Sequence, residues 1–527
     1  MLMSFELRDR DLLGRIGKLR TKSGEVETPA FMPVINPVLQ TLEPRRMKEE
    51  FGIDIVITNS YIIKNHFEDI PALTVHSLLD YDGVIMTDSG AYQILVYGGV
   101  KVNQPEIIAF QKRIESDIAV ILDIPTGWDE SRSRVEYTVN ETLERAKKAL
   151  PLIEDTPNLW VGPVQGGRHL DLVADSARRI GEMPYDIHAL GSPTEVMERY
   201  MYPVLVDMTM MTKLNIPVER PLHLFGAGHP MVFALAVAMG CDLFDSAAYV
   251  LYAKDDRYLT NQGTLLLENL QYLPCNCPIC RKYSASELKD LPRGMRQEAI
   301  AEHNLHVTAT EMEIVKQAIV EGRLWDLVET RAKAHPQMSA ALKTLSKYSR
   351  YIEKGSSGFK GHGVFYYDYN SLVRPETLRH NIQLKENFKQ PEGKDVLVLI
   401  KAPPKMPFNR YREFRRIKNS VKDAESITFC FYAAPYGIIP EHLSETFPLS
   451  QYDIAEPLDI ETIEFTVENI REYLESTEWR RVILVREYDE LDVATEEMLM
   501  NLALLPEVIQ SRNIWEEETG KELKTVL

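Results

Sequence analysis

Short apolar runs separated by longer spacers fill the first half of this sequence. Several runs are apolar at every position rather than at alternate ones, as expected of parallel strands that are buried on both faces. Many spacers are long enough for a crossover helix, such as residues 131–150 and 193–211. Eight runs qualify as candidate strands: 29–34, 54–60, 83–89, 118–124, 159–165, 186–191, 222–228 and 241–246. This alternation of strands and helices predicts an α/β fold with a parallel sheet.

Eight β-α units within about 250 residues predict a (β/α)8 TIM barrel, because eight parallel strands close that fold. The alternative is an open, doubly wound sheet. The barrel is favoured because no glycine-rich turn of the dinucleotide-binding kind follows the first candidate strand. Active sites of TIM barrels lie at the C-terminal ends of the strands, so the residues there are the first candidates for chemistry.

The C-terminal ends of the candidate strands are unusually polar. Three carboxylates stand there, at Asp88, Asp123 and Asp245, together with the amide of Gln165 and several glycines. Any one of these aspartates could simply cap the helix that follows it. Three of them at one predicted barrel mouth favour a site that binds and transforms a substrate.

A cluster of cysteines follows the eighth candidate strand. Cys275, Cys277 and Cys280 are three of only five cysteines in 527 residues, which is too few for a disulfide framework. Three thiolates and one imidazole complete a tetrahedral zinc shell with no open position for water, so we predict one structural Zn²⁺ per chain. Either His303 or His306 can supply the imidazole. Three unrelated thiols are the other interpretation.

Five motifs occur in a fixed order along roughly residues 1–345. They are Thr-Asp-Ser-Gly-Ala-Tyr-Gln at 87–93, Gln-Gly-Gly at 165–167, Ala-Leu-Gly-Ser at 189–192, Asp-Leu-Phe-Asp-Ser at 242–246, and the Cys-x-Cys-x-x-Cys that follows. Together they resemble the archaeal type of tRNA-guanine transglycosylase. The resemblance implies a zinc-bearing TIM barrel that places 7-cyano-7-deazaguanine at position 15 of the tRNA D-arm, in archaeosine biosynthesis. The His-Asn-Leu sequence at His303 resembles the family's metal ligand and favours His303 over His306.

The resemblance also implies roles at the barrel mouth. Asp245 matches the nucleophile that bonds covalently to the ribose, and Asp88 matches the general acid/base that handles protons of the two bases. Replacing a base on a ribose calls for the paired carboxylates of retaining glycoside hydrolysis, so these residue types suit the chemistry independently. Asp123 would bind purine-like N–H groups, and Tyr92 would stack on the base. The expected substrate-binding residues are Ser89, Gly90, Tyr92, Asp123, Gln165, Gly191 and Ser192.

Beyond about residue 345 the sequence is less informative. We expect a catalytic domain over 1–345 with its zinc site at about 275–303, a linker or small irregular subdomain over 346–394, and an α/β accessory domain over 395–527. The linker prediction comes from clustered glycines and serines. Strand-like runs at 396–400, 427–433 and 481–485 indicate the α/β domain, and residues 506–527 read as an acidic helix.

Basic and aromatic residues are interleaved between the first two of these runs. Basic groups neutralise phosphates and aromatic rings stack on splayed bases, so the segment is a candidate RNA contact. The alternative is an amphipathic helix that buries its aromatic rings and exposes its charges. The basic residues are Lys405, Arg410, Arg412, Arg415 and Arg416, and the aromatic ones are Phe408, Tyr411 and Phe414.

Composition bears on partners and compartment. A net charge of −18 disfavours generic nucleic-acid binding but allows a tRNA enzyme with a local basic patch. Neither a signal peptide nor an apolar run of membrane-spanning length is visible, so we expect a cytoplasmic protein without a membrane partner. The resemblance suggests a homodimer. Archaeal relatives usually carry a C-terminal PUA domain that this sequence does not show, so a separate PUA-domain protein is a candidate partner.

Two other functional classes fit parts of the sequence. A metal-dependent TIM-barrel hydrolase would need histidine and aspartate ligands with an open coordination position. His188, His223 and His229 lie near strand ends, but no His-x-His pair follows the first candidate strand. A non-catalytic tRNA-binding subunit is the second class, and the presence of both Asp88 and Asp245 argues against it.

Overall fold

The computed structural model describes residues 5–91, 103–388, 390–421, 427–502 and 506–527. The chain divides into two compact units, Met1–Tyr348 and Ser349–Leu527. Each unit has its own hydrophobic core. None of the helices in the described ranges combines the length and apolarity that a membrane crossing requires.

A three-stranded antiparallel sheet precedes the barrel in the first unit. Its strands, in spatial order, are β1 (Phe5–Asp11), β2 (Gly14–Arg20) and β3 (Glu25–Thr28). The sequence analysis does not predict this sheet. Strand β1 is exposed except at its two end residues, and β2 is mostly buried but carries Arg15 and Lys18, so neither strand contains an apolar run.

The eight predicted strands all form, and they close into a ring. Neighbouring strands pair in parallel in chain order, and the last strand pairs with the first. The predicted (β/α)8 TIM barrel is therefore confirmed, and the open doubly wound sheet is excluded. The strands are β4 (Ala30–Ile35), β5 (Ile55–Asn59), β6 (Val84–Asp88), β7 (Ile118–Val120), β8 (Leu159–Val164), β9 (Ile187–Leu190), β10 (Leu222–Leu224) and β11 (Leu243–Ser246).

Helices connect the barrel strands. Asn59, the last residue of β5, caps the next helix by accepting a hydrogen bond from the backbone N–H of Ile62. Most of them bury one face, as the sixth does with Val173, Ala177 and Ile180, whereas the ninth, Pro230–Ala238, is buried at every residue. They are α1 (Pro44–Phe51), α2 (Ser60–Phe67), α3 (Val75–Leu79), α4 (Gln104–Arg113), α5 (Arg132–Ile153), α6 (Leu170–Gly181), α7 (Thr194–Glu198), α8 (Tyr202–Asn215), α9 (Pro230–Ala238) and α10 (Ala248–Lys254).

A hairpin and a group of helices complete the first unit after the barrel. The hairpin consists of β12 (Arg257–Thr260) and β13 (Gly263–Leu266). A long helix, α13, packs against α10 of the barrel and against the hairpin strand β12. The helices of this region are α11 (Pro278–Lys282), α12 (Ala285–Asp290), α13 (Arg293–Glu321), α14 (Leu324–Ala332) and α15 (Pro336–Leu345).

The second unit is the predicted C-terminal α/β domain. It contains α16 (Ser349–Gly355), β14 (Val364–Tyr366), α17 (Pro375–Asn387), β15 (Val396–Lys401), α18 (Arg412–Ser420), β16 (Ile427–Ala433), β17 (Gly437–Pro440), β18 (Tyr452–Ile454), α19 (Ile460–Glu475), β19 (Arg481–Arg486), α20 (Glu490–Asn501), β20 (Glu507–Gln510) and α21 (Glu517–Val526). Its main sheet has the order β17-β16-β15-β19-β20, in which β17 alone is antiparallel. The central strand β15 sends alternate residues into two separate cores, which explains its continuously apolar sequence.

Residues 346–394, where the sequence indicates a linker or small irregular subdomain, contribute ordered elements to this unit. They supply α16, β14 and α17, and β14 pairs with β18. A buried ion pair joins Lys360 Nζ to Glu376 Oε1 at 2.7 Å, and Arg374 donates a 2.8 Å hydrogen bond to the carbonyl of Phe365. These tertiary contacts are not readable from a glycine-rich composition.

The last segment of the chain differs from the predicted acidic helix. Only Glu517–Val526 is helical, whereas Glu507–Gln510 forms β20 at the edge of the sheet. A single residue of β20, Ile509, is buried. An edge strand of this kind lacks the apolar run that identifies a strand in sequence.

Candidate active site and metal centre

A cavity of about 1030 Å³ opens at the C-terminal ends of the barrel strands. It brings together Asp88, Asp123, Gln165, Gly191 and Asp245, which lie far apart in the sequence. The barrel explains this convergence, because the ends of all its parallel strands meet at one mouth. Ser192 also lines the cavity. The predicted stacking residue Tyr92 lies outside the described residues.

Asp88 is the last residue of β6, and its carboxyl group is held from two sides. Asn59 Nδ2 donates to its Oδ2 at 3.2 Å, and the amide of Gly90 donates to the same oxygen at 3.4 Å. Burial, together with the nearby charges of Asp123 and Asp245, raises the pKa of Asp88 to about 7. A carboxyl group with this pKa can both give and take a proton near neutral pH.

Two further predicted residues follow Asp88 directly. Gly90 has a φ of +87°, a left-handed conformation that glycine adopts without strain, and this turn aims its amide at Asp88. The hydroxyl of Ser89 is buried and has no hydrogen-bond partner among the described residues.

Asp245 lies within β11, and its two carboxylate oxygens have different hydrogen-bond partners. His223 Nε2 contacts Oδ1 at 2.8 Å, and the amide of Gly226 donates to the same atom at 2.9 Å. Among the residues that the structure describes, no donor reaches Oδ2. The side chain is 14% exposed and lines the cavity, so Oδ2 remains available to react.

The sequence analysis did not predict that His223 contacts Asp245. Its side chain is fully buried, and its Nδ1 has no partner among the described residues. Because a carboxylate oxygen only accepts, the ring donates from Nε2 to Asp245. The contact follows from the strand register, which the sequence does not show: His223 pairs with Leu243, and Asp245 lies two residues further on the same face of β11.

A hydrogen-bond network fixes the side chains expected to bind the base. Gln165 Nε2 donates to Asp123 Oδ2 at 2.6 Å, while Gln165 Oε1 accepts from the hydroxyl of Ser192 and the amide of Thr126, each at 3.1 Å. Burial raises the pKa of Asp123 to about 6, although the hydrogen bond from Gln165 opposes the rise. Asp123 is therefore largely ionised at neutral pH.

Gly191 serves this network through its lack of a side chain. A Cβ atom here would lie 2.2 Å from Gln165 Nε2 and would displace the amide. Its own N–H donates to the carbonyl of Val164 at 2.8 Å. That amide is thus engaged within the barrel and is not free to donate to a bound base.

Cys275, Cys277, Cys280 and His303 form a compact group whose potential ligand atoms all lie within 4.8 Å of one another. His303 Nδ1 is 3.4 Å from the sulfurs of both Cys277 and Cys280. Its Nε2 contacts the carbonyl of Leu259 at 3.0 Å, which turns Nδ1 toward the cysteines. This group could hold a metal ion, and its donor set is one of those found in structural zinc sites.

The two candidate histidines, His303 and His306, have different neighbours. The ring of Tyr258 stacks on His303 with 3.6 Å between centroids, and its hydroxyl lies 3.2 Å from the sulfur of Cys280. His306 instead packs against Phe51, with 4.4 Å between ring centroids. The structure therefore places His303 in the metal group.

The candidate RNA-contact segment buries its aromatic rings, as the amphipathic alternative expects. Phe408 and Phe414 belong to the core of the second unit, and Tyr411 meets Trp515 edge to face. Base stacking on the two phenylalanines is excluded by this burial. Three of the basic residues engage the protein itself: Arg410 with Glu445, Arg415 with the carbonyl of Asn409, and Arg416 with the carbonyl of Trp515. Lys405 and Arg412 are exposed, and RNA contact by this segment stays a prediction.

Known proteins resemble the chain along most of its length. Residues 10–337 match the profile of the family described as queuine tRNA-ribosyltransferase, and residues 378–521 match a domain of unknown function, DUF5591. Three proteins named tRNA-guanine(15) transglycosylase are similar to it. The one from Sulfolobus acidocaldarius is 40% identical over 92% of this chain and 95% of its own. Those from Aeropyrum pernix and Pyrococcus furiosus are each 43% identical, over 85% and 87% of this chain and 87% and 72% of their own.

Proposed function

This chain belongs to the queuine tRNA-ribosyltransferase family and is a tRNA-guanine transglycosylase, and we propose that it replaces guanine at position 15 of tRNA with 7-cyano-7-deazaguanine, in archaeosine biosynthesis. The names of its archaeal relatives support position 15. The observation that carries the chemistry is the pair of carboxyl groups at one cavity, Asp88 and Asp245, in contrasting environments.

The exchange proceeds by double displacement. Oδ2 of Asp245 attacks C1′ of the target ribose, the bond from C1′ to N9 of guanine breaks, and the base leaves with the bonding electrons. Asp88, protonated at this stage, gives its proton to the departing base. Asp88 then takes a proton from the incoming base, whose N9 attacks C1′ and releases the carboxylate of Asp245.

The network around Asp123 supplies base recognition. Its ionised carboxylate accepts hydrogen bonds from the ring N–H and exocyclic amine that guanine and 7-deazaguanine bases share. The second N–H of Gln165 Nε2, not used by Asp123, faces the carbonyl edge of the base. Both groups are fixed before the base arrives, so little side-chain freedom is lost on binding.

The two alternative classes receive no support from the site. His223 is engaged by Asp245, and His229 contacts Thr264 through Nε2 and accepts from Met231 through Nδ1. Within the described ranges, the one group of metal-ligating side chains found is the Cys3His set, which has no open position for a catalytic water. A binding-only subunit would not need two carboxyl groups arranged in this way. Zinc as the metal and a homodimeric assembly stay predictions.

Labelled guanine tests the proposed activity directly. Incubation with the purified protein should transfer label into unmodified tRNA that carries guanine at position 15. The matched control is the same tRNA with adenine at position 15, which should acquire no label. Label in neither tRNA would contradict base exchange, and equal label in both would contradict the assigned position.

Asp88→Asn is expected to slow exchange by about 100-fold or more, because general acid/base catalysis contributes on this scale. In the wild type, release of guanine should weaken as the pH rises through about 7, where Asp88 loses its proton. This inflection should disappear in the variant. Exchange rates measured between pH 5 and 9 check both points, and a variant that keeps the inflection would move the acid role elsewhere.

Asp88→Asn should also change how the stability of the protein depends on pH. The pKa of Asp88 is raised from 3.8 to about 7, so the folded protein retains a proton that the unfolded chain releases between these values. The stabilisation that this proton gives the folded protein is complete below pH 3.8 and is lost as the pH rises through about 7. The Tm of Asp88→Asn relative to wild type should therefore increase over this interval.

His223→Ala is expected to lower kcat by about 10- to 100-fold, the range given by loss of one hydrogen bond to a charged group. His223→Gln should recover much of this loss, because its amide N–H can reach the same oxygen. KM for tRNA should change little in either variant. Steady-state kinetics measures kcat and KM separately. A glutamine variant with a kcat no higher than that of the alanine variant would contradict the positioning role of His223.

A further inference from the structure

The cavity extends beyond the predicted base-binding residues to a wall of aromatic side chains. Tyr200, Tyr202 and Tyr252 all line it. Tyr202 is buried and Tyr252 half-buried, but Tyr200 is 48% exposed. A volume of about 1030 Å³ reaches the upper end of the range for sites that enclose a whole drug-sized ligand, so one base leaves much of it unfilled.

Tyr200 is held in a fixed and strained position. Its φ of +56° lies in the left-handed region, which a bulky residue adopts only when its surroundings impose it. The ring of His335 stacks on Tyr200 with 4.9 Å between centroids and 20° between planes, and Tyr202 meets it edge-on at 6.0 Å. His335 is itself anchored, because its Nδ1 accepts a hydrogen bond from the amide of Gln337. Strained backbone of this kind clusters at ligand-binding sites.

The charges around this wall favour a neutral partner for Tyr200. Next to it, Arg199 is paired with Asp129 and Glu195, and the carboxylate of Glu198 also lines the cavity. Two further cations belong to this region: Arg257 stands 5.6 Å from the ring centroid of Tyr252, and Lys254 lines the cavity. Since charges of both signs surround the wall, the exposed ring of Tyr200 is better suited to an uncharged aromatic surface than to a phosphate.

We propose that Tyr200, backed by His335, is a stacking subsite for the nucleobase next to the target guanosine in tRNA. The inference rests on the proposed function, since the target base must occupy the pocket at Asp123 and Gln165. A base that enters that pocket leaves the stack of its neighbours, and a neighbour thereby loses a stacking partner. An aromatic ring at the cavity mouth replaces the lost partner and tolerates any base, because every base has a π face.

Ring removal at Tyr200 should weaken tRNA binding without affecting the free base. Tyr200→Gly suits the positive φ and deletes the ring, while Tyr200→Phe keeps the ring and deletes the hydroxyl. The glycine variant should raise KM for tRNA by about 10-fold or more, the scale of losing one stacked base. KM for the free incoming base should stay unchanged, and the phenylalanine variant should behave like the wild type.

A fluorescent base reports the contact itself. In tRNA carrying 2-aminopurine at nucleotide 14 or 16, the wild type and Tyr200→Phe should quench the probe on binding, and Tyr200→Gly should leave it bright at one of these positions. A glycine variant that matches the wild type in KM for tRNA and in quenching overturns the subsite. So does a parallel rise in KM for tRNA and free base with a lowered Tm, since that pattern marks a structural role. Failure of the proposed function would appear separately, as wild-type protein without base exchange.

Discussion

Asp245→Asn is expected to reduce base exchange by more than about 1000-fold while leaving tRNA affinity nearly unchanged. The substitution exchanges one oxygen for an amide nitrogen and adds almost no volume. The remaining oxygen can still accept from His223 and from the amide of Gly226, so the side chain should keep its position. The amide nitrogen that takes the place of Oδ2 is not a nucleophile toward C1′. Labelled-guanine exchange and a tRNA binding titration measure the two effects.

Asp255→Asn is the matched control for this variant. Asp255 is an exposed carboxylate just after α10, and its substitution changes the net charge by the same amount. It should retain wild-type exchange. Substantial activity in Asp245→Asn, or an equal loss in Asp255→Asn, would contradict the assignment of Asp245 as nucleophile.

Loss of the metal is expected to lower the Tm by on the order of 10 °C, with chemistry affected only as the fold loosens. Cys275 and Cys277 precede α11 and Cys280 lies within it, whereas His303 lies in α13, so a shared ion would join these two parts of the chain. A closed Cys3His shell leaves no position for a water, so a bound ion would contribute stability rather than reactivity. Cys277→Ala should lose the metal and show this drop in Tm.

His306→Gln is the control for the metal site, because His306 packs on Phe51 outside the group. It should keep the full metal content and a near wild-type Tm. Elemental analysis measures the metal content of both variants, and thermal unfolding measures their Tm. A Cys277→Ala protein that retains its metal would contradict the ligand set, and abolished exchange at an unchanged Tm would point to a metal that takes part in the chemistry.

The barrel could be predicted because its strands are buried on both faces and so stand out as apolar runs. Two of the strands that the sequence analysis did not predict, β1 and β20, are largely exposed and therefore contain no apolar run. Asp88, Asp123, Gln165 and Asp245 could be found because strand ends in a barrel converge. The contacts that orient these side chains could not be predicted in this way.

His223 illustrates why. It sits inside an apolar run near a strand end, and its contact with Asp245 depends on the register between β10 and β11. The amide of Gly191 is likewise engaged by Val164, a pairing that no motif reveals. In the second unit, the basic and aromatic pattern around Phe408 and Phe414 fits an RNA surface and a buried helix equally well. Tertiary packing alone separates the two.

Locating the covalent link between protein and tRNA tests the account most directly. Wild-type protein incubated with tRNA in the absence of incoming base should yield an adduct that survives denaturation. After digestion with protease and nuclease, mass spectrometry should find the ribose on the peptide that contains Asp245. An adduct on the peptide that contains Asp88, or an adduct that forms equally well with Asp245→Asn, would contradict the mechanism.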